Sequence, residues 1–241
     1  MTRSFNLLDP RDRILIRTKT KRKSERGIRA ILDDEKLARE NDFIEGALTL
    51  FLKEEYSNIG VLDICKQIGL AKGSFYLYFH SKEEVFLRIV EQQIVKWGQL
   101  LDQKLSELPT QCPLHLAAKT FVSSLSEFSP MLRLFSLLHS IIEKNVRPER
   151  ILPFKLKMLE VQSSQAILWK KIYPRLDDDD IQKLLIFLSS SLLGIWTLAN
   201  PPESARAAIQ LGGLEKILAP FGSTLESQLE MFLKGLQAKH V

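Results

Sequence analysis

Apolar residues recur at helical spacing along almost the whole chain. Val61, Ile64, Cys65 and Ile68 follow the i, i+3, i+4, i+7 spacing of one buried face, which predicts a short helix that Gly69 ends. Phe75 and Phe79 lie four apart and fall on one side of a second short helix, so both rings can anchor it to its neighbours. Ser81 with Glu84 three residues later reads as a capping box, starting a helix near Lys82 that runs to about Leu108, where Pro109 stops it. Upstream, Asp33 and Asp34 offer an N-cap for a long helix reaching about Glu54, with Leu37, Ile44, Ala47, Leu48 and Phe51 on its buried side. Beyond Pro109, prolines punctuate helical stretches near residues 113 to 128, 130 to 144, 149 to 173, 178 to 199, 203 to 217 and 223 to 238. The sequence shows no alternating strand pattern of useful length, no internal repeat and no sustained heptad, so the expected fold class is all-α.

A two-turn helix, a glycine-containing turn and another short helix make a helix-turn-helix, whose second helix offers its N-terminal residues to base edges. With Phe75 and Phe79 turned inward, Lys72, Gly73, Ser74, Tyr76 and Tyr78 are left towards solvent. The first backbone N–H groups of the helix beginning at Lys82 are free to meet a phosphate. Taken singly, each of these side chains reads more readily as ordinary solvated surface than as a DNA ligand. Their joint arrangement points to a DNA groove, while Phe75, Phe79 and Cys65 read as core.

The run from about Asn41 to Val90 resembles the DNA-binding domain of the TetR family of bacterial transcriptional regulators. Matching positions are Ala47 and Phe51, then Asp63 and Ile64, then Gly69, Lys72, Gly73, Tyr76, Tyr78 and Phe79, and finally Ser81, Lys82 and Glu83. The resemblance implies that Lys72, Gly73, Tyr76 and Tyr78 touch bases or phosphates and that Lys82 meets the backbone at the start of the fourth helix. Leu77 stands where relatives carry a polar or aromatic residue and can meet a thymine methyl. Ile59-Gly60 stands where the family usually has Thr or Ser as cap and phosphate ligand; glycine can occupy a cap position but brings no hydroxyl.

The chain has 241 residues with 45% hydrophobic content, enough for a sizeable core. Its net charge is +5, but residues 11 to 29 alone hold nine Lys or Arg against Asp12 and Glu25, a local balance of +7 that leaves −2 for the rest. This concentrated charge suits DNA contact by an N-terminal arm, through Lys19, Lys21, Arg22, Lys23 and Arg26, and equally suits a solubilising tail. Cys65 and Cys112 lie far apart and outside ligand spacing, which favours free thiols in a reducing cytosol. The first 30 residues lack the apolar stretch of a secretory signal. The longest apolar run, Leu184 to Ala199, falls short of the roughly 20 residues that cross a bilayer, so a cytoplasmic protein with no membrane partner is expected.

Residues Ile181 to Leu198 are apolar on more than one face, which implies a partner surface. Leu184, Leu188 and Leu192 there, with Leu229, Phe232 and Leu236 in the last helix, are the candidate dimer residues. The resemblance implies a four-helix bundle built from the last two main helices of each subunit, and so an isologous homodimer. Phe121, Phe135, His139, Trp169 and Trp196 are candidates for a mainly hydrophobic ligand cavity, although each fits a plain core role as well. No Gly-rich phosphate loop, nucleophile elbow or histidine pair at ligand spacing is present, so neither catalysis, cofactor nor metal is expected. The acids Asp177 to Asp180 read as stabilisers of a helix N-terminus.

The expected organisation is therefore a basic arm over residues 1–32, a helix-turn-helix DNA-binding domain over 33–90, and a larger helical ligand-binding and dimerisation domain over 91–241. The expected function is a TetR-like regulator, a repressor that binds double-stranded palindromic operator DNA as a homodimer and is released by a small hydrophobic effector. The alternative is a helical ligand- or protein-binding module that has lost sequence-specific DNA binding.

Overall fold

The computed structural model describes residues 34–239; the basic arm, with Lys19, Lys21, Arg22, Lys23 and Arg26, lies outside the described residues. All regular structure among them is helical. Helix α1 spans 34–51 and is followed by a short 3-10 turn, Tyr56–Asn58. Then come α2 (Val61–Gln67), α3 (Lys72–Phe75) and the long α4 (Lys82–Ser106). The remainder comprises α5 (Leu114–Ser123), α6 (Ser129–Leu137), α7 (Pro148–Ile172), α8 (Asp178–Ala199), α9 (Glu203–Leu211) and α10 (Phe221–Ala238).

The apolar stripe of α1 differs from the expectation. Leu37 is 54% exposed, because residues 34–39 overhang the helices below, and Phe43, fully buried, takes its place as the first anchor. Ile44, Ala47 and Phe51 are buried as expected. The helix ends at 51, three residues early. Between Leu138 and Ile142 the expected single helix over 130 to 144 widens into a π turn, then tightens into a 3-10 turn at Glu143–Asn145.

The core runs continuously from the aromatic rings under α3 to the leucines of α10. Helix α4 supplies its spine, packing chiefly along α7. Gly98 of α4 makes the closest approach: an added Cβ would lie 2.6 Å from Val161 Cγ1, so a larger residue there would force the two helices apart.

Helix α8 is 22 residues long and, by length and composition, apolar enough to cross a bilayer, so the expectation of too short a stretch does not hold. Its buried residues nevertheless form an inward stripe against the subunit's own helices: Leu184, Leu188, Leu192 and Ile195. Of the candidate dimer residues, Leu184, Leu188, Leu192, Leu229 and Leu236 are buried within the single subunit, while Phe232 is half-buried and stacks on Phe187 at 4.1 Å. The outward apolar residues are Ile186 and Leu198 of α8 and Met231 of α10.

Acids at the start of α8 act locally. Asp177 accepts from the Asp180 backbone N–H at 2.8 Å, Asp178 pairs with Lys170, Asp179 with Lys183, and Asp180 with Lys239 at 2.9 Å. The carboxylates of Asp177, Asp179 and Asp180 are close enough together to offer ligands to a cation, yet each has a helix-end or lysine partner that accounts for it.

Candidate functional site

The α2–α3 unit is assembled around Phe43. Gly60 caps α2 without a side chain, and Asp63 supplies the reciprocal half of the cap by accepting from Gly60 N–H at 3.0 Å. Gly69 turns the chain with φ +70°, a conformation that glycine adopts without steric penalty. Helix α3 has only four regular residues, prolonged by a turn in which Tyr78 and Phe79 both donate to the Phe75 carbonyl at 3.0 Å. Phe75 and Phe79 are buried, their rings 5.4 and 6.1 Å from that of Phe43.

This anchoring leaves Lys72, Gly73 and Tyr76 exposed, the last at 50%. Leu77 is the most outward of the group at 75%. Ser74 is half-buried, and Tyr78 leans on Phe43 with its ring half-buried at 5.7 Å. Of the candidate DNA residues around α3, Lys72, Gly73, Tyr76 and Leu77 are thus the exposed ones.

Lys82 is placed differently from a free phosphate ligand. Its ammonium donates to the Tyr56 carbonyl at 3.1 Å and the Ile59 carbonyl at 2.8 Å and lies 4.1 Å from the centre of the Tyr56 ring. Burial lowers its pKa, against the opposing pull of Glu83. Lys82 therefore fastens the start of α4 to the segment that leads into α2.

Ser81 caps α4, accepting from Glu84 N–H at 3.3 Å, but the Glu84 carboxylate reaches back one residue further than a capping box requires and accepts from His80 N–H at 3.0 Å. Glu84 is only 3% exposed in its side chain and also meets Arg147 at 3.4 Å and Arg150 at 3.9 Å, both from the start of α7. Arg150 donates in addition to the Tyr78 carbonyl at 3.3 Å. On the other side Arg133 of α6 donates to the carbonyls of Phe51 at 2.9 Å and Glu54 at 3.2 Å, its guanidinium lying over the Phe51 ring. Sequence patterning had not singled out these three arginines, because each acts on a group more than sixty residues away.

A cavity of about 100 Å³ lies between α4, α5, α6, α7 and α8. Of the candidate ligand residues, Phe121, Phe135 and His139 border it. Trp169 and Trp196 do not. Trp169 is fully buried in the core, stacked on Tyr173, and Trp196 packs edge-on against Phe221 at 5.2 Å. The walls include residues that the sequence reading missed: Trp97, Gln162, Gln165, and the inward leucines Leu188 and Leu192. Gln165 was legible in one respect, being the polar member of a buried stripe on α7 that also holds Phe154, Trp169 and Ile172.

Residues 43–89 match the family described as bacterial regulatory proteins, tetR family, and residues 91–240 match the tetracyclin repressor-like C-terminal domain. Among curated proteins, the chain is similar to the uncharacterized HTH-type transcriptional regulator YfiR of Bacillus subtilis, 30% identical over 73 residues, covering 30% of this chain and 36% of that protein. It is also similar to the transcriptional regulator AcuR of Cereibacter sphaeroides, 37% identical over 60 residues, covering 25% of this chain and 27% of the relative. The matched segment thus spans about a third of the length of such relatives. Among solved structures, a TetR/AcrR regulator from Thermobifida fusca aligns with TM-score 0.52 at 18% identity over 81% of this chain and 96% of its own. The regulator PfmR from Thermus thermophilus aligns with TM-score 0.53 at 17% identity over 80% and 98%. At such identities these two show the shared fold alone. The helix-turn-helix on its aromatic anchor and the two family matches, which together take in most of the chain, identify it as a member of the TetR family of transcriptional regulators.

Proposed function

We propose that the protein is a ligand-responsive repressor: a homodimer whose two α3 helices enter successive major grooves of a palindromic operator, released when a small, mainly hydrophobic molecule fills the cavity. The carrying observation is the projecting face of Lys72, Gly73, Tyr76 and Leu77, held by a buried Phe43–Phe75–Phe79 cluster. Tyr76 and Leu77 present apolar and hydrogen-bonding surface suited to base edges, and Lys72 supplies the phosphate attraction. In this reading residues 33–90 form the DNA-binding domain, residues 91–241 bind ligand and pair subunits, and the arm over 1–32 adds sequence-independent affinity in the cytoplasm.

The outward apolar residues Ile186, Leu198 and Met231 of α8 and α10 support pairing through these two helices. Small residues on the same faces, Ser190, Gly194 and Gly235, allow close approach.

Fluorescence anisotropy with the DNA upstream of the protein's own gene tests the reading. Wild type should bind it specifically at physiological salt, and Lys72→Ala combined with Tyr76→Ala should reduce binding to the level of unrelated DNA. Equal binding by wild type and the double variant would overturn the assignment of α3 as the reading element.

A further inference from the structure

The cavity carries a chemical signature in what its walls leave unsatisfied. Trp97, Phe121, Phe135, Met158, Leu188 and Leu192 make most of its surface apolar. Most polar groups on that surface already have partners. Trp97 Nε1 donates to Ser124 Oγ at 2.9 Å, Ser189 Oγ donates to the Leu185 carbonyl at 2.9 Å, and the His139 ring is 2.9 Å from Glu143. The two glutamines remain: Gln162 is half-buried and shared with the groove outside, whereas Gln165 borders the cavity, is 4% exposed, and its Nε2 has no hydrogen-bond partner. A buried amide donor left unpaired is unfavourable, so a ligand that accepts from it gains more than one that does not.

The charge balance narrows the ligand further. None of the residues bordering the cavity is Lys, Arg, Asp or Glu. The one ionisable side chain bordering it, His139, is already held by Glu143, so a carboxylate or phosphate entering would lose its water with no unengaged cation to replace it, and an ammonium would find no anion on the wall. At about 100 Å³ the cavity is smaller than the roughly 150 Å³ apolar cavity that holds benzene, which limits the ligand's body to a single ring that extends towards the groove between α7 and α8.

We propose that this cavity takes an uncharged, ring-sized apolar molecule bearing one carbonyl group, whose oxygen accepts a hydrogen bond from Gln165 Nε2. The proposal rests on the reading of the cavity as the effector site and adds the effector's chemical class. It excludes the carboxylate form of an acid. The wider groove between α7 and α8, which shares Gln162, Leu185 and Ser189 with the cavity, provides the way in.

Three probes of similar size separate the possibilities in calorimetric titrations of the full chain: acetophenone, ethylbenzene and benzoate. Acetophenone should bind roughly tenfold tighter than ethylbenzene, the factor expected from one buried hydrogen bond, and benzoate should bind more weakly than either. Gln165→Leu, close in volume, should abolish the advantage of acetophenone while keeping ethylbenzene. Benzoate binding as tightly as acetophenone, no preference between the two neutral probes, an unchanged preference in Gln165→Leu, or no binding of any probe would each overturn the proposal. The wild-type ranking decides the matter even if the variant fails to fold. Operator affinity is measured separately with acetophenone present. If the preference is found and operator affinity does not change, the cavity chemistry stands and the effector role falls.

Discussion

Lys82 shows how a side chain's neighbours can redirect a role that its sequence position suggests. As the first residue of α4 it resembles a phosphate ligand, yet its ammonium donates two hydrogen bonds, to the Tyr56 and Ile59 carbonyls, at the entry to α2. Lys82→Met should therefore lower folding stability by about 1–2 kcal/mol in denaturant titrations, as loss of hydrogen bonds from a charged donor does. In the same protein the salt dependence of DNA binding should change little. Lys72→Ala should behave oppositely, leaving stability within about 0.5 kcal/mol while reducing the salt slope by roughly one. If Lys82→Met lowers the slope as much as Lys72→Ala, the ammonium leaves its carbonyls to meet DNA. The sequence could not separate these cases, because Tyr56 and Ile59 lie more than twenty residues upstream and no periodicity connects them to Lys82. Phe43 was missed for a related reason: periodicity defines a helical face, but not where the neighbouring helices stop and the helix overhangs into water, as α1 does at Leu37.

At the scale of elements, helix type and order were legible because the apolar period is strong and the prolines mark most breaks. What eluded the sequence was which apolar face meets which neighbour. In α8 two apolar faces lie on one helix, and only packing against α6, α7 and α10 decides that Leu184, Leu188 and Leu192 go inward and Ile186 and Leu198 outward. The α4–α7 crossing offers a sharp test. Exposed Gly→Ala changes inside a helix usually stabilise by up to about 1 kcal/mol, but Gly98→Ala should destabilise by about 1–3 kcal/mol because its methyl would collide with Val161. Adding Val161→Ala should restore much of that loss in a double-mutant cycle; additive effects would deny the contact. The π turn after α6 provides a second test. Burial raises the Glu143 pKa, but ion pairs with Lys155 and His139 outweigh it, so the carboxyl titrates below its ordinary 4.5. A carboxyl lowered in the folded state adds stability above its unfolded pKa and loses it as pH falls through the folded one. Thermal melts should therefore show wild type losing stability below about pH 4.5 more steeply than Glu143→Gln does. Parallel curves would mean that these pairs contribute nothing to the fold.

For the molecule as a whole, the question is how a filled cavity reaches a helix-turn-helix that does not border it. Helix α4 is one route, since Ile94 and Trp97 border the cavity and Ser81 to Glu84 begin beside the α3 turn. The arginines supply two more. Arg133 sits on α6, two residues before Phe135 of the cavity wall, and grips the end of α1 through the carbonyls of Phe51 and Glu54. Arg147 and Arg150 lead α7, whose Met158 and Gln165 border the same cavity, and they hold Glu84 and the Tyr78 carbonyl at the end of the recognition turn. A ligand that displaces α6 or α7 must therefore either pull these contacts or break them. Coupling between sites is reciprocal and typically amounts to 5–150-fold in affinity, so operator DNA should weaken binding of acetophenone, the cavity probe, by the same factor that the probe weakens operator binding. In the combined variant Arg133→Ala, Arg147→Ala, Arg150→Ala, each ligand alone should still bind within a few-fold of wild type, because none of the three side chains borders the cavity or belongs to the projecting face of α3. The mutual effect, however, should fall towards unity when probe affinity is titrated with and without operator. Coupling that survives intact in this variant would assign the signal to α4 alone, with the arginines serving only to hold the two parts of the subunit together.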